Sequence, residues 1–219
     1  NPSRQAHTIR DSWLEYAALG SARFDMVMIY HGMNEARLNN APPDVFRDDF
    51  GHYTWYEIVN VLSLYHGKAR FALPYTLRFL ALKVLQSVRS SRYVPKREPR
   101  KDWLEFGGTI RSAVPFKANL EAILDTAARR GDPVMLFTFA THLSENYSIE
   151  AFKNKRLDYA NHSIPMEVWG KPEHVMGAVA LHNRVLVETA TRRANILFVD
   201  QSSLIPKSAK FFDDLCHLT

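Results

Sequence analysis

The chain has 219 residues, of which 46% are hydrophobic and 23% charged, enough to bury a sizeable core and too apolar for a disordered segment. Its net charge of +5 is local, because residues 83–101 carry seven basic side chains (Lys83, Arg89, Arg92, Lys96, Arg97, Arg100, Lys101) against Glu98, which sets that segment at +6 and the rest at −1. One cysteine, Cys216, excludes an internal disulfide framework and a cysteine-based zinc cluster, and the 219 residues hold neither an uncharged apolar run of membrane-spanning length nor a signal-peptide pattern.

Taken in chain order, residues 8–20 read as a helix with Ile9, Trp13, Leu14, Ala17 and Ala18 on one face, Thr8 and Asp11 as a cap and Gly20 as a stop. "MVMIY" (26–30) follows as a strand. Residues 41–110 read as a helical insertion, with "TWYEIVNVLSLYH" (54–66) and "PYTLRFLALKVLQSV" (74–88) as helices before the basic stretch. The 73–88 segment places Leu77, Leu80, Ala81, Val84, Leu85 and Val88 on one face. Two readings stand for it: packing on the parent sheet or over a cleft, which the amphipathic pattern favours, and lying on a membrane surface through 73–101. Residues 116–130, after Pro115 and before Gly131, give the clearest helix, followed by the strand "VMLFTF" (134–139). Residues 172–193 open on Pro172 as a helix before the strand "ILFVD" (196–200). The three continuous apolar runs suit strands buried on both faces of a parallel sheet. Helix then strand, three times, predicts an α/β fold with right-handed crossovers.

In such sheets ligands bind beyond the carboxyl ends of the strands. Those ends carry Gly32, Asn34 and Glu35 after the first strand, Thr141 and His142 after the second, and Asp200 after the third. Gly32 would let backbone approach a ligand, and the Asn34 amide is a donor of the kind that stabilises an oxyanion; a plain turn held by the Asn34 side chain is the competing reading. In the terminal "DDLCHLT", Asp214 and His217 stand three apart, close enough for a carboxylate to orient an imidazole and leave Nε2 as a general base. An unrelated pair of surface residues would show the same spacing.

With G-x-N after one strand and D-x-x-H after the last, the chain resembles the SGNH (GDSL-type) hydrolase superfamily. Gly32-Met33-Asn34-Glu35 is similar to its G-x-N-D block, Asp214-Leu215-Cys216-His217 to its D-x-x-H block, and "NPSRQAHT" to its N-x-G-x-x-G-x-T block, with Ser3 and Ala6 where glycines are usual. The resemblance implies a three-layer α/β/α sandwich on a parallel, flavodoxin-like sheet, truncated at the N-terminus before the G-D-S block, with 41–110 inserted in a single partial domain. It implies a serine ester hydrolase (esterase, lipase, acyl hydrolase or carbohydrate deacetylase) whose serine lies upstream. His217 would be its base and Asp214 the orienting acid, with Asp213 as competitor. Asn34 and the backbone N–H of Ala6 would form the oxyanion hole, with Gly32 beside them.

Glu35 replaces the usual aspartate and is expected to brace the loop at the substrate side and not to react, while His142, at a strand's carboxyl end, is a pocket candidate against the competing and favoured reading of a loop histidine. The expected substrate is a small-molecule, glycan or lipid ester. No cofactor, metal or nucleic acid is implied, and the family resemblance alone suggests a bacterial exported or periplasmic setting. A hydrolase-like binding module without the serine, or an acyltransferase accessory, remains the alternative. His182, on the apolar stripe of its helix, reads as a satisfied core histidine.

Overall fold

A computed structural model of the chain describes residues 6–63 and 72–219. Asn1 and Ser3 of the N-x-G-x-x-G-x-T resemblance, and residues 64–66 of the helix expected at 54–66, lie outside the described residues.

Helix α1 (Ile9–Ala18) begins where its sequence says it should. The Thr8 hydroxyl accepts from the Asp11 N–H, and the Asp11 carboxylate accepts from the Thr8 N–H at 2.7 Å, a reciprocal cap that satisfies two orphan donors of the first turn. Strand β1 (Val27–Ile29) follows. Helices α2 (Thr54–Ser63) and α3 (Ala72–Val88) lie in the 41–110 segment. Helix α4 (Ala113–Arg130) ends on Gly131, whose left-handed φ of +72° lets its N–H close back on Ala127 and Ala128, and leads into β2 (Val134–Phe137). After the short α5 (Ile149–Lys153), the long α6 (Pro172–Arg192) precedes β3 (Ile196–Val199) and the single turn α7 (Gln201–Leu204).

The sheet is three-stranded and parallel, in the order β1-β2-β3, with Val27 opposite Val134 and Val134 opposite Ile196. That register puts Val27, Ile29, Val134, Leu136, Ile196 and Phe198 on one face. There they meet Ile9 and Tyr16 of α1, Phe116, Leu120, Ile123 and Leu124 of α4, and Val185 and Leu186 of α6 in the largest core. The row one residue out of phase, Met28–Met135–Leu197, has no helix over it among the described residues: Met28 is 66% and Leu197 53% exposed. The apolar runs predict strands buried on both faces, and the exposure of Met28 and Leu197 corrects that expectation. Their apolar character is continuous, but burial follows only the face that α1, α4 and α6 cover. Among the described residues the fold is α/β in two layers, where the resemblance implies three.

The 41–110 segment and Leu38 share a core apart from that of the sheet. Leu38, Val45, Phe50, Tyr53, Tyr56, Val94 and Trp103 pack together, and the buried Tyr53 hydroxyl donates to the Arg37 carbonyl at 2.8 Å. This cluster backs the loop that follows β1, so the 41–110 segment and the carboxyl end of the sheet are packed together. His182 is fully buried, with Nδ1 2.7 Å from the Gly32 carbonyl, Nε2 2.9 Å from Ser112 Oγ and its ring stacked on Phe116. Burial pushes its pKa down to about 4, so it stays neutral and works as a strut between α6 and the β1 loop.

Candidate functional site

A cavity of about 380 Å³ opens at the carboxyl ends of the strands, and its walls include Ala6, Gly32, Asn34 and His217. Two segments nearly the whole chain apart thus meet at one crevice.

The floor is set by Gly32. Its φ of +150° lies outside the range L side chains adopt readily, and a Cβ there would stand 3.2 Å from Phe139 Cβ. The turn that follows aims Asn34 inward. Its Nδ2 donates to the His7 carbonyl at 2.8 Å, while its Oδ1 accepts from Trp169 Nε1 at 3.2 Å and from the Arg37 guanidinium. Two donors on Oδ1 fix which end of the amide is oxygen, since a flipped amide would set N–H against N–H. One Asn34 N–H remains for a ligand.

Asn39 and Asn40 hold this loop from behind. Asn39 Oδ1 accepts from the Ser112 N–H at 2.8 Å, and Asn40 Nδ2 donates to the Trp169 carbonyl at 2.8 Å. Gly170, at φ +142°, makes room for Asn40, whose Oδ1 would lie 2.9 Å from an added Cβ.

The opposite wall is the C-terminal loop. Asp214 is fully buried, and its oxygens accept N–H groups of Cys216 and His217 at 3.0 Å and of Ile164 at 2.9 Å, together with His217 Nδ1 at 2.9 Å. Burial works to raise the Asp214 carboxyl, but the His217 imidazole and the N–H groups of Cys216 and His217 outweigh it and leave it below its ordinary value. The same hydrogen bond raises His217 against the opposing effect of burial. With Nδ1 committed to Asp214, Nε2 is the free nitrogen. Asp213 faces elsewhere, accepting from Asn161 Nδ2 at 2.5 Å. Trp169 joins the two walls, its indole N–H on Asn34 and its ring centroid 6.3 Å from that of His217.

Ala6 lies at the cavity rim with a left-handed φ of +61°, the conformation a glycine would adopt at less cost, and its carbonyl accepts from the Tyr56 hydroxyl at 2.8 Å. Glu35 is not in the cavity wall. It is fully buried, and Oε1 accepts the Ile9 N–H at 2.5 Å while Oε2 has no partner among the described residues. It therefore braces the start of α1 and does not reach substrate. Burial and the nearby Asp11 push its pKa up to about 7, opposed by the Ile9 N–H and Arg37. An acid raised on folding is destabilising once the unfolded chain ionises, so stability falls as pH rises from about 4.5 to about 7. Glu35→Gln is expected to raise stability by on the order of 3 kcal/mol at pH 8 and to change little at pH 4, as read from urea unfolding at the two pH values.

His142 does not face the cavity either. Its Nε2 lies 3.1 Å from the Asp158 carbonyl and its ring packs on Tyr159 and Phe212, while its backbone N–H donates to Leu215 at 2.8 Å. The residue supports the Asp214–His217 loop from outside, because the chain turns away after β2 before its side chain could reach in.

Several cavity residues carried no sequence signal. His7, Ser12, Tyr30, His31, Phe139 and Trp169 come from four separate segments. Arg37 was visible three residues after Asn34, but only the fold shows it buried with no carboxylate paired to it among the described residues and Nε unpartnered. Asp214, Cys216 and His217 place one ligand atom each within 4.8 Å of the others, a span one cation could bridge. Burial pushes the Cys216 thiol well above its ordinary value, and the Asp214 oxygens are already filled by backbone N–H groups, so the set fits an acid–imidazole dyad better than an ion.

Comparison with protein-family models, with curated proteins and with solved structures returned no match for this chain.

Proposed function

We propose that the cavity is the acyl site of a serine ester hydrolase of SGNH type, in which His217 is the general base, Asp214 orients it, and the Asn34 N–H holds the oxyanion. One observation carries this reading: an imidazole held by a buried carboxylate and a side-chain amide locked in its donor orientation open onto the same cavity. An ester carbonyl seated there would be attacked by a serine hydroxyl whose proton passes to His217 Nε2, and the imidazolium so formed would be stabilised by Asp214. The Ala6 N–H is assigned as a second oxyanion donor. The nucleophile is assigned to a serine outside the 219 residues, and the bare Met28–Met135–Leu197 face to the further helical layer of an α/β/α sandwich.

A second reading has its own observation. Ser12 Oγ lies 2.9 Å from His31 Nε2 in the same cavity, a serine–imidazole pair within the chain. Burial, with His7 nearby, pushes His31 down to about 4, however, which makes it a poor acceptor for a serine proton at neutral pH. The dyad with the raised pKa is the better base.

The test is hydrolysis of p-nitrophenyl acetate. The 219-residue chain alone is expected to give no turnover above buffer. A chain extended upstream along its encoding sequence is expected to give turnover that is lost in His217→Ala. Turnover by the 219 residues that disappears in Ser12→Ala would overturn the assignment of the nucleophile in favour of the second reading.

A further inference from the structure

Helix α3 is apolar on two sides and uses one. Tyr75, Phe79, Leu82 and Gln86 form the stripe turned inward against α2, with Gln86 Nε2 donating to Glu57 at 3.0 Å. Leu73, Leu77, Leu80, Val84 and Val88 form another, each between 53 and 78% exposed. At about 100° per residue the two stripes lie on opposite sides of the helix. The amphipathic pattern predicts that the leucines pack on the sheet or cap the cleft; instead they face away from the chain. Five large aliphatic side chains in one row exceed the scattered apolar exposure of an ordinary surface.

The charge around that row is predominantly basic, with Glu98 the one acid of residues 83–101. Ala72–Val88 contains no acid, and its two charged residues, Arg78 and Lys83, flank the leucine stripe on either side in the helical projection. Directly beyond its C-terminal end stand Arg89, Arg92, Lys96 and Lys101, all exposed, while Arg100 is neutralised by Asp102 at 2.7 Å. Among the described residues no helix is long and apolar enough to cross a membrane.

From this juxtaposition we propose that α3 and the basic segment after it dock the protein on an anionic lipid surface, with the leucine row sunk to the headgroup–acyl boundary and the basic side chains at the phosphates. A stripe of leucines edged by lysine and arginine matches both layers of such a surface at once. Basic stems lying beside apolar residues reach outward to phosphate without leaving them. A second copy of the chain would offer the same basic rim and no acid on the helix to meet it, so charge complementarity favours lipid over self-association. This inference does not depend on the chemistry of the cavity.

Co-sedimentation with vesicles tests it on the chain itself. Binding to phosphatidylcholine vesicles containing phosphatidylglycerol is expected to be about tenfold stronger than to phosphatidylcholine alone, and to weaken as salt is raised. Leu77→Asp with Val84→Asp is expected to lower that binding by about tenfold or more while leaving the thermal melt unchanged, since both positions are solvent-exposed. Equal binding to both lipids, or undiminished binding by the double variant, would overturn the proposal. So would light scattering that gives the native chain twice the mass of the double variant, which would assign the stripe to a second copy.

Discussion

Asp214→Asn is expected to unfold the C-terminal loop's support and lower the His217 pKa together, with a stability loss of about 3 kcal/mol or more. The carboxylate is fully buried and all its neighbours are donors: the N–H groups of Ile164, Cys216 and His217, and His217 Nδ1. An asparagine places an NH₂ where one oxygen stood. Either the Ile164 N–H or the pair from Cys216 and His217 then faces a donor, and each buried donor left unsatisfied costs roughly 1–3 kcal/mol. The imidazole loses the anion that raises it. Urea unfolding gives the first quantity, and titration of the His217 ring protons by NMR gives the second. A His217 pKa unchanged in the variant would show that Asp214 does not govern it.

The same dyad fixes a pH window. Asp214 is depressed on folding, so its contribution is present above its unfolded value near 3.8 and lost as pH falls through the lower folded value. His217 is raised, so its contribution is present below 6.5 and lost as pH rises through the higher folded value. The pair is therefore worth most between these limits. Glu35 also lowers stability as pH rises to about 7, and the Glu35→Gln variant separates the two effects. In the role proposed for it the consequence runs the other way: as a general base His217 accepts a proton only when neutral, so turnover by the upstream-extended chain should rise with pH through its raised pKa.

What the sequence disclosed, and what it hid, follows from how local each feature is. The Thr8–Asp11 cap, the stop at Gly131 and the three strands rest on neighbours within a few residues, and each lies within a few positions of its expected place. The pairing of Asp214 with His217 is equally local, because it needs only one turn. Trp169, by contrast, reaches Asn34 across 135 positions, and nothing in its own segment announces that contact. Burial was the least legible property. The run "MVMIY" holds Ile29 in the core and Met28 in solvent, and the leucine row of α3 faces outward although its pattern reads as core. Composition marks a side chain as apolar; only the placement of other elements decides whether anything covers it.

That distinction makes Asn34→Asp the sharpest separation of fold from function. The substituted carboxylate keeps an oxygen where Arg37 and Trp169 donate, and it gives the buried guanidinium the anionic partner it otherwise lacks among the described residues. Against this, the second oxygen meets the His7 carbonyl, where Nδ2 donated at 2.8 Å, so one hydrogen bond is lost and repulsion takes its place. The gain and the loss are each of order 1–3 kcal/mol, and the variant is expected to melt within a few degrees of the native chain. Its effect on chemistry has no such offset. On the proposed ester chemistry only the Ala6 N–H remains of the two assigned oxyanion donors, and a negative charge stands where negative charge must develop, so kcat measured in the upstream-extended chain should fall by at least about 10²–10³-fold. Arg37→Met is the complementary variant: it leaves the Asn34 donor in place but removes the cation that polarises and orients it. A smaller loss, in kcat with little change in KM and partly restored by Arg37→Lys, is expected of a positioning residue. Steady-state kinetics beside thermal melts distinguish the two patterns, and an Asn34→Asp variant with native kcat would remove Asn34 from the oxyanion hole.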